Sequence, residues 1–114
     1  MRERNTIETN PTTIIVVVGG PEKLVEATRL ASKVVPLAQV KTCDIQSVAT
    51  MVASLWPFAI IMSDELYGFD SEEFEALARD VTAKLLRVSS EASAMQLESD
   101  LRPRLLDAFK ARNE

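Results

Sequence analysis

The 114-residue chain has no histidine, one cysteine and three glycines. Without histidine it has no imidazole to serve as a general base, a metal ligand or a pH switch near neutrality. A single cysteine excludes an internal disulfide and a cysteine-cluster zinc site. These absences remove several classes of enzyme and metal protein, and we expect neither a cofactor nor a bound metal.

The chain also lacks a basic character and a long apolar segment. It carries 13 basic and 17 acidic residues, a net charge of −4, which argues against a nucleic-acid-binding surface. Apolar runs such as residues 14–18 are far shorter than the roughly 18 residues of a membrane span, and the N-terminus has no apolar signal sequence. With Cys43 interpreted as a reduced thiol, the sequence predicts a cytoplasmic protein with no nucleic-acid or membrane partner.

What the chain does contain fits a single globular domain. Hydrophobic residues make up 46% and charged residues 26%, an ordinary composition for a folded soluble domain. Residues 1–11 are polar and end at Pro11, so we expect a flexible tail there and a folded domain over residues 12–114.

Strand and helix patterns alternate along this domain. Residues 12–18 are β-branched throughout and residues 58–62 are apolar, as in central strands covered on both faces. Residues 37–43 alternate and fit an edge strand. Helical spacing predicts helices over 22–35 and 45–56, with Ile45 on the inner face of the second. Asp44 is expected to cap that second helix, and Asp70 to cap a third in a capping box with Glu73.

The C-terminal third leaves two points open. Residues 70–88 fit either one long helix or, the interpretation we favour, a helix to about 79 followed by a strand from about 83. Residues 90–113 are helical, and Pro103 either kinks this helix or begins a separate one.

This alternation predicts an α/β fold of three layers, flavodoxin-like, with a parallel sheet of about four strands. The loops after the strand ends gather at one rim of such a sheet, where sites normally lie. Those loops are residues 19–20, 43–44, 63–65 and 89–90.

Residues 57–71, PFAIIMSDELYGFDS, resemble the third strand and phospho-acceptor loop of the receiver domain of bacterial response regulators. Gly68 matches the glycine of that family's motif, Tyr67 replaces its proline, and Asp70 matches the acid that follows. The resemblance implies a signalling module, and it extends over roughly residues 13–90.

The family's phosphorylation pocket is not preserved in this sequence. Ser63 stands at the phospho-acceptor aspartate position, and Asp64 lies one position out of register. Gly19 and Gly20 replace the acidic pair that holds Mg²⁺, and Ser89 fits the switch hydroxyl. Aspartyl phosphate formation needs a carboxylate and a divalent cation, so the resemblance implies a receiver that is not phosphorylated. The family's fifth strand also has no counterpart.

The favoured interpretation is therefore a non-catalytic pseudo-receiver that acts as a protein-binding adaptor in bacterial signalling and is not an enzyme. An uncovered fourth strand would need a partner, which predicts a homodimer or docking on another protein. The candidate interaction surface consists of Leu85, Leu86, Val88, Leu97, Leu101, Leu105 and Phe109.

An alternative is a small phosphate- or nucleotide-binding domain, or an enzyme, that uses the rim residues Gly19, Gly20, Asp64 and Ser89. Glycines between a strand and a helix can cradle a phosphate. The chain has neither the dinucleotide nor the P-loop glycine motif, so this alternative depends on the rim as a whole.

Overall fold

The computed structural model describes residues 13–112, and the segment 1–11, for which a flexible tail is predicted, lies outside them. The strands in this range are β1 (Thr13–Val18), β2 (Ala38–Cys43), β3 (Ala59–Ser63) and β4 (Lys84–Val88). The helices are α1 (Glu22–Ala31), followed by a 3-10 turn at Ser32–Val34, then α2 (Val48–Leu55), the one-turn α3 (Asp64–Tyr67), α4 (Ser71–Asp80) and α5 (Ala94–Arg112). Among the described residues, no helix is long and apolar enough to cross a bilayer.

The strands form one parallel sheet in the order β2-β1-β3-β4. In the centre, Ile15 of β1 pairs with Val40 of β2 on one side and with Ala59 of β3 on the other. At the far edge, Leu85 of β4 pairs with Ile60 of β3. The predicted α/β class and its four-stranded parallel sheet are confirmed. Within residues 13–112 no fifth strand is present, so β2 and β4 are the two edges.

Helices cover both faces of the sheet, in keeping with the apolar character of the central strands. Four consecutive residues of β1, Ile15 to Val18, have no exposed surface. Alternate residues pack against α1 and α5 on one side, named here the α1–α5 face, and against α2 and α4 on the other, the α2–α4 face. The sheet is therefore the middle of three layers.

Helix α5 is continuous through Pro103. A proline inside a helix costs about 3 kcal/mol. Leu101 and Leu105, on either side of it, are both fully buried against the α1–α5 face, and each such burial contributes roughly 1.5–3 kcal/mol. Packing therefore outweighs the cost, and no separate last helix forms.

The predicted interaction surface is wrong for most of its residues. Five of them are buried in the core and cannot reach a partner: Leu86, Val88, Leu97, Leu101 and Leu105. Phe109 is half-buried and packs edge-on against Phe58, with ring centroids 6.0 Å apart, and Leu85 is half-buried on the α2–α4 face. The leucine ladder of α5 faces inward because it supplies one wall of the core.

Two local predictions also need correction. The second helix begins at Val48, because Asp44 accepts a hydrogen bond from the Ser47 N–H at 2.9 Å and holds residues 44–47 in a turn. Ile45 is consequently 40% exposed. Asp70 makes no side-chain cap; its backbone carbonyl accepts the Phe74 N–H instead.

The ambiguous stretch 70–88 is a helix followed by a strand. Thr82 adopts a left-handed conformation with φ 54° after α4 ends. Lys84 then donates its N–H to the Phe58 carbonyl and starts β4. The turn is thus made without glycine or proline, the residues that normally mark one.

Candidate functional site

A pocket of about 200 Å³ opens at the rim where β1, β3 and β4 end. It lies between the start of α1, the residues that follow β3 and those that follow β4. This is the edge of a parallel sheet where ligands normally bind. Its lining residues are Gly19, Pro21, Lys23, Leu24, Ser63, Glu65, Val88, Ser89, Ser90 and Leu97.

The turn from β1 into α1 requires glycine at both positions. Gly19 has φ +57°, and a Cβ there would lie 3.1 Å from a methyl carbon of Leu66. A Cβ on Gly20 would lie 3.0 Å from side-chain carbons of both Leu24 and Val17. The Gly19 N–H donates to the Cys43 carbonyl at 2.7 Å, which ties this turn to the end of β2.

The N-terminus of α1 lies at the pocket, through Pro21, Lys23 and Leu24. Leu24 and Val25 both donate their N–H groups to the Pro21 carbonyl. Glu22 and Lys23 are the first two residues of the helix, and their N–H groups have no acceptor within it. These amides and the helix dipole favour an anionic ligand.

Ser63 and Ser89 line the same opening. The Ser63 hydroxyl accepts the Leu66 N–H at 3.2 Å and so caps α3. The Ser89 hydroxyl accepts the Glu91 N–H, also at 3.2 Å. Because each oxygen is used as an acceptor, each O–H can donate to a ligand. Residues 63–65 form the start of α3.

The charged groups that line the pocket are one cation and one anion. Lys23 and Glu65 are both exposed at its mouth. The lysine attracts an anion and the carboxylate repels it, so the backbone amides decide the preference for charge.

Asp64 is not among the residues that line the pocket. Its carboxylate accepts the Arg87 Nε–H at 2.9 Å, with both side chains about half exposed. The Arg87 guanidinium also lies 4.1 Å from the centre of the Tyr67 ring. This exposed ion pair and ring contact hold Asp64 on the α2–α4 side of the rim.

Tyr67 continues this polar surface. Its hydroxyl donates to a Glu75 carboxylate oxygen at 2.7 Å, and this hydrogen bond is the main cause that raises the pKa of Tyr67 above its usual value. Tyr67 therefore remains a neutral phenol at physiological pH.

The cysteine is also not among the residues that line the pocket. Cys43 ends the edge strand β2 and is half-buried. Burial, and then the nearby Asp44 carboxylate, raise the pKa of the Cys43 thiol. Since the thiolate is the reactive form, this side chain is a weak nucleophile near neutral pH. The described residues contain no cluster of three or more acidic, cysteine or histidine side chains able to hold a metal ion.

The structure thus brings together some of the predicted rim residues and leaves others out. Gly19, Ser63 and Ser89 meet in one pocket, Gly20 shapes the turn beneath it, and Asp64 turns away. Lys23 was missed by the sequence reasoning. Its position, the second residue of the helix that follows the double glycine, was the available signal.

No protein-family model matches the chain, and no curated protein does. Among solved structures, the chain is similar to the lactose-specific IIB component domain of the phosphoenolpyruvate:carbohydrate phosphotransferase system from Streptococcus pneumoniae. The TM-score is 0.62 at 10% sequence identity, and the match covers 88% of this chain and 99% of that one. At this identity the likeness shows the fold.

This comparison corrects the receiver interpretation. The fold is matched by a phosphotransferase-system domain rather than by a receiver domain, and no receiver family model matches the chain. The predicted role as a non-catalytic, unphosphorylated signalling adaptor rested on the receiver family, and it is wrong together with that family. The rim alternative is better supported.

Proposed function

We propose that the rim pocket binds a phosphoryl group, so that the chain is a small phosphate-binding α/β domain. The observation that carries the proposal is that the first turn of α1, Ser63 and Ser89 line one opening. Amide and hydroxyl donors can bind phosphate oxygens through directed hydrogen bonds.

The size of the pocket indicates which phosphate compounds fit. At about 200 Å³ it is smaller than the roughly 300–1,000 Å³ of sites for drug-sized ligands. It accommodates a phosphate with a small attached group, and a complete nucleotide would extend into solvent. We therefore favour a small phosphomonoester, or a phosphorylated side chain, over a nucleotide.

The solved structure with this fold supports the same chemistry. That domain is part of the phosphoenolpyruvate:carbohydrate phosphotransferase system. A cytoplasmic location is part of this proposal, because the single Cys43 is simplest as a reduced thiol.

Phosphoryl transfer at this pocket is a second candidate, favoured by the hydroxyls beside the Glu65 carboxylate. In that reaction a serine oxygen would bond to phosphorus, the donor oxygen would leave with the bonding electrons, and Glu65 would take the hydroxyl proton. Intact-mass spectrometry after incubation with acetyl phosphate tests it. An added phosphoryl group on Ser63 or Ser89 supports transfer, and an unchanged mass restricts the pocket to binding.

The binding proposal is tested with inorganic phosphate, monitored by ¹⁵N–¹H NMR at constant ionic strength. We expect phosphate to shift the amide resonances of Gly20, Glu22 and Lys23. Lys23→Glu should weaken binding roughly three- to tenfold, and Glu65→Gln should strengthen it by a similar factor, since each changes one exposed charge beside the anion.

Lys33→Glu is the matched control, because Lys33 lies in the 3-10 turn beyond the other end of α1. It should bind phosphate like the unchanged chain. Equal affinities for Lys23→Glu and Lys33→Glu, or resonance shifts remote from the α1 N-terminus, would overturn the proposal.

A further inference from the structure

Strand β4 has backbone groups that no other strand uses. The Lys84 N–H donates to the Phe58 carbonyl, so the alternate residues Leu85 and Arg87 direct their N–H and C=O groups away from β3. Arg104 donates to the Arg87 carbonyl at 2.9 Å. In the described part of the chain the remaining outward groups bond to no other strand. An edge of this kind is a template for strand addition.

A groove lies beside this edge, between β4 and α5. Ala108 and Ala111 on α5 have small side chains, so space is left between this helix and residues 82–86. The groove has two parts, with volumes of about 460 and 360 Å³, and both parts are lined by Lys84, Ala108 and Ala111. The lining residues are Thr82, Ala83, Lys84, Leu86, Arg104, Asp107, Ala108, Ala111 and Arg112.

The groove is basic, although the chain as a whole carries a net charge of −4. Lys84, Arg104 and Arg112 line it against the single carboxylate of Asp107. Arg112 donates to the carbonyls of Trp56 and Pro57, which do not neutralise its charge.

A neighbouring carboxylate offsets one of these three basic charges. Arg104 pairs with Asp100 at 2.6 Å. Among the described residues, Lys84 and Arg112 form no salt bridge. The surface that a new strand would meet is therefore positive on the α5 side.

This charge decides between possible occupants. A second copy pairing through β4 would place two basic grooves, each lined by Lys84 and Arg112, side by side. Like charges opposite each other destabilise a sheet. An acidic segment meets the opposite charge instead.

We propose that the groove between β4 and α5 accepts an extended acidic segment of another protein as an added strand. Main-chain hydrogen bonds to Leu85 and Arg87 hold the segment in register. Its acidic side chains, two residues apart on one side, face Lys84 and Arg112. This site is separate from the rim pocket.

The test is an NMR titration of the full chain with the capped hexapeptide Glu-Val-Glu-Val-Glu-Val, with Lys-Val-Lys-Val-Lys-Val for comparison. We expect the acidic peptide to shift the amide resonances of Leu85 and Arg87, and the basic peptide to leave them unchanged. Lys84→Glu should weaken the acidic peptide's binding roughly three- to tenfold.

Lys41→Glu is the matched control, because it makes the same charge change on the opposite edge strand, β2. It should bind the peptide as the unchanged chain does. Equal weakening by both variants would show a non-specific charge effect and overturn the proposal. Movement of the Leu85 and Arg87 resonances with protein concentration alone would identify a second copy as the occupant, and would overturn it too.

Discussion

The two faces of the sheet are covered by helices of different length. On the α1–α5 face, the 19-residue α5 buries Leu97, Leu101 and Leu105 almost completely. On the α2–α4 face, the eight-residue α2 buries only Val48 and Val52. The first face also borders the rim pocket, through Leu24 and Leu97, whereas the second borders the exposed Asp64–Arg87 pair. Stability and the candidate binding site thus depend on the same face.

The largest effect on stability is expected when a buried side chain of α5 is shortened. Leu101→Ala removes a fully buried side chain and should lower the free energy of unfolding by about 2–5 kcal/mol. Val48→Ala removes less volume from a residue that is also buried, and should cost clearly less. Urea denaturation followed by circular dichroism measures both. Equal losses would show that the two faces contribute alike.

An intermediate effect on stability is expected at the turn from β1 into α1. Gly19→Ala forces a side chain into a left-handed conformation and against Leu66, which should cost about 1–2 kcal/mol. Gly68→Ala is the control, since Gly68 has φ −65° and its Cβ would meet only ordinary contacts, 3.5 Å from the Glu65 carbonyl oxygen. That variant should be neutral or stabilising by up to about 1 kcal/mol. A reversed order in the same denaturation assay would contradict the Gly19 geometry.

The smallest effect concerns Cys43, which packs partly against the α2–α4 face. Because its pKa is raised, chiefly by burial, a smaller fraction is thiolate at pH 8 than in free cysteine, and alkylation by iodoacetamide should be slower. Asp44→Asn removes the second cause and should lower the pKa part of the way, so that the reaction speeds up. The rate measured against pH gives both values. An inflection at or below that of free cysteine would show that this face opens around the thiol.

The sequence predicted the sheet because its strong signals are local. The apolar run of β1 indicates a buried parallel strand, and Pro21 and Pro57 mark element boundaries because proline lacks a backbone N–H. The start of α2 was predicted too early, because a side-chain bond from Asp44 to the Ser47 amide competes with the helix. The turn at Thr82 carries no sequence marker, so the boundary between α4 and β4 depends on the pairing of Lys84 with Phe58.

The location of the candidate site could be predicted from the sequence, but only some of its residues could. Parallel topology puts the residues after each strand at one rim, which brought Gly19, Ser63 and Ser89 together. Asp64 could not be placed from the sequence, because its direction is set by Arg87, a partner on another strand. For the same reason the leucines of α5 were assigned to a surface: periodicity identifies an apolar stripe but not what covers it.

The central position of β1 has a consequence for synthesis on the ribosome. Of the described strands it is translated first, yet it lies between β2 and β3, and its partner Ala59 is translated long after Ile15. The nascent chain therefore carries an unprotected apolar strand until β3 has left the exit tunnel, the interval in which aggregation competes with folding.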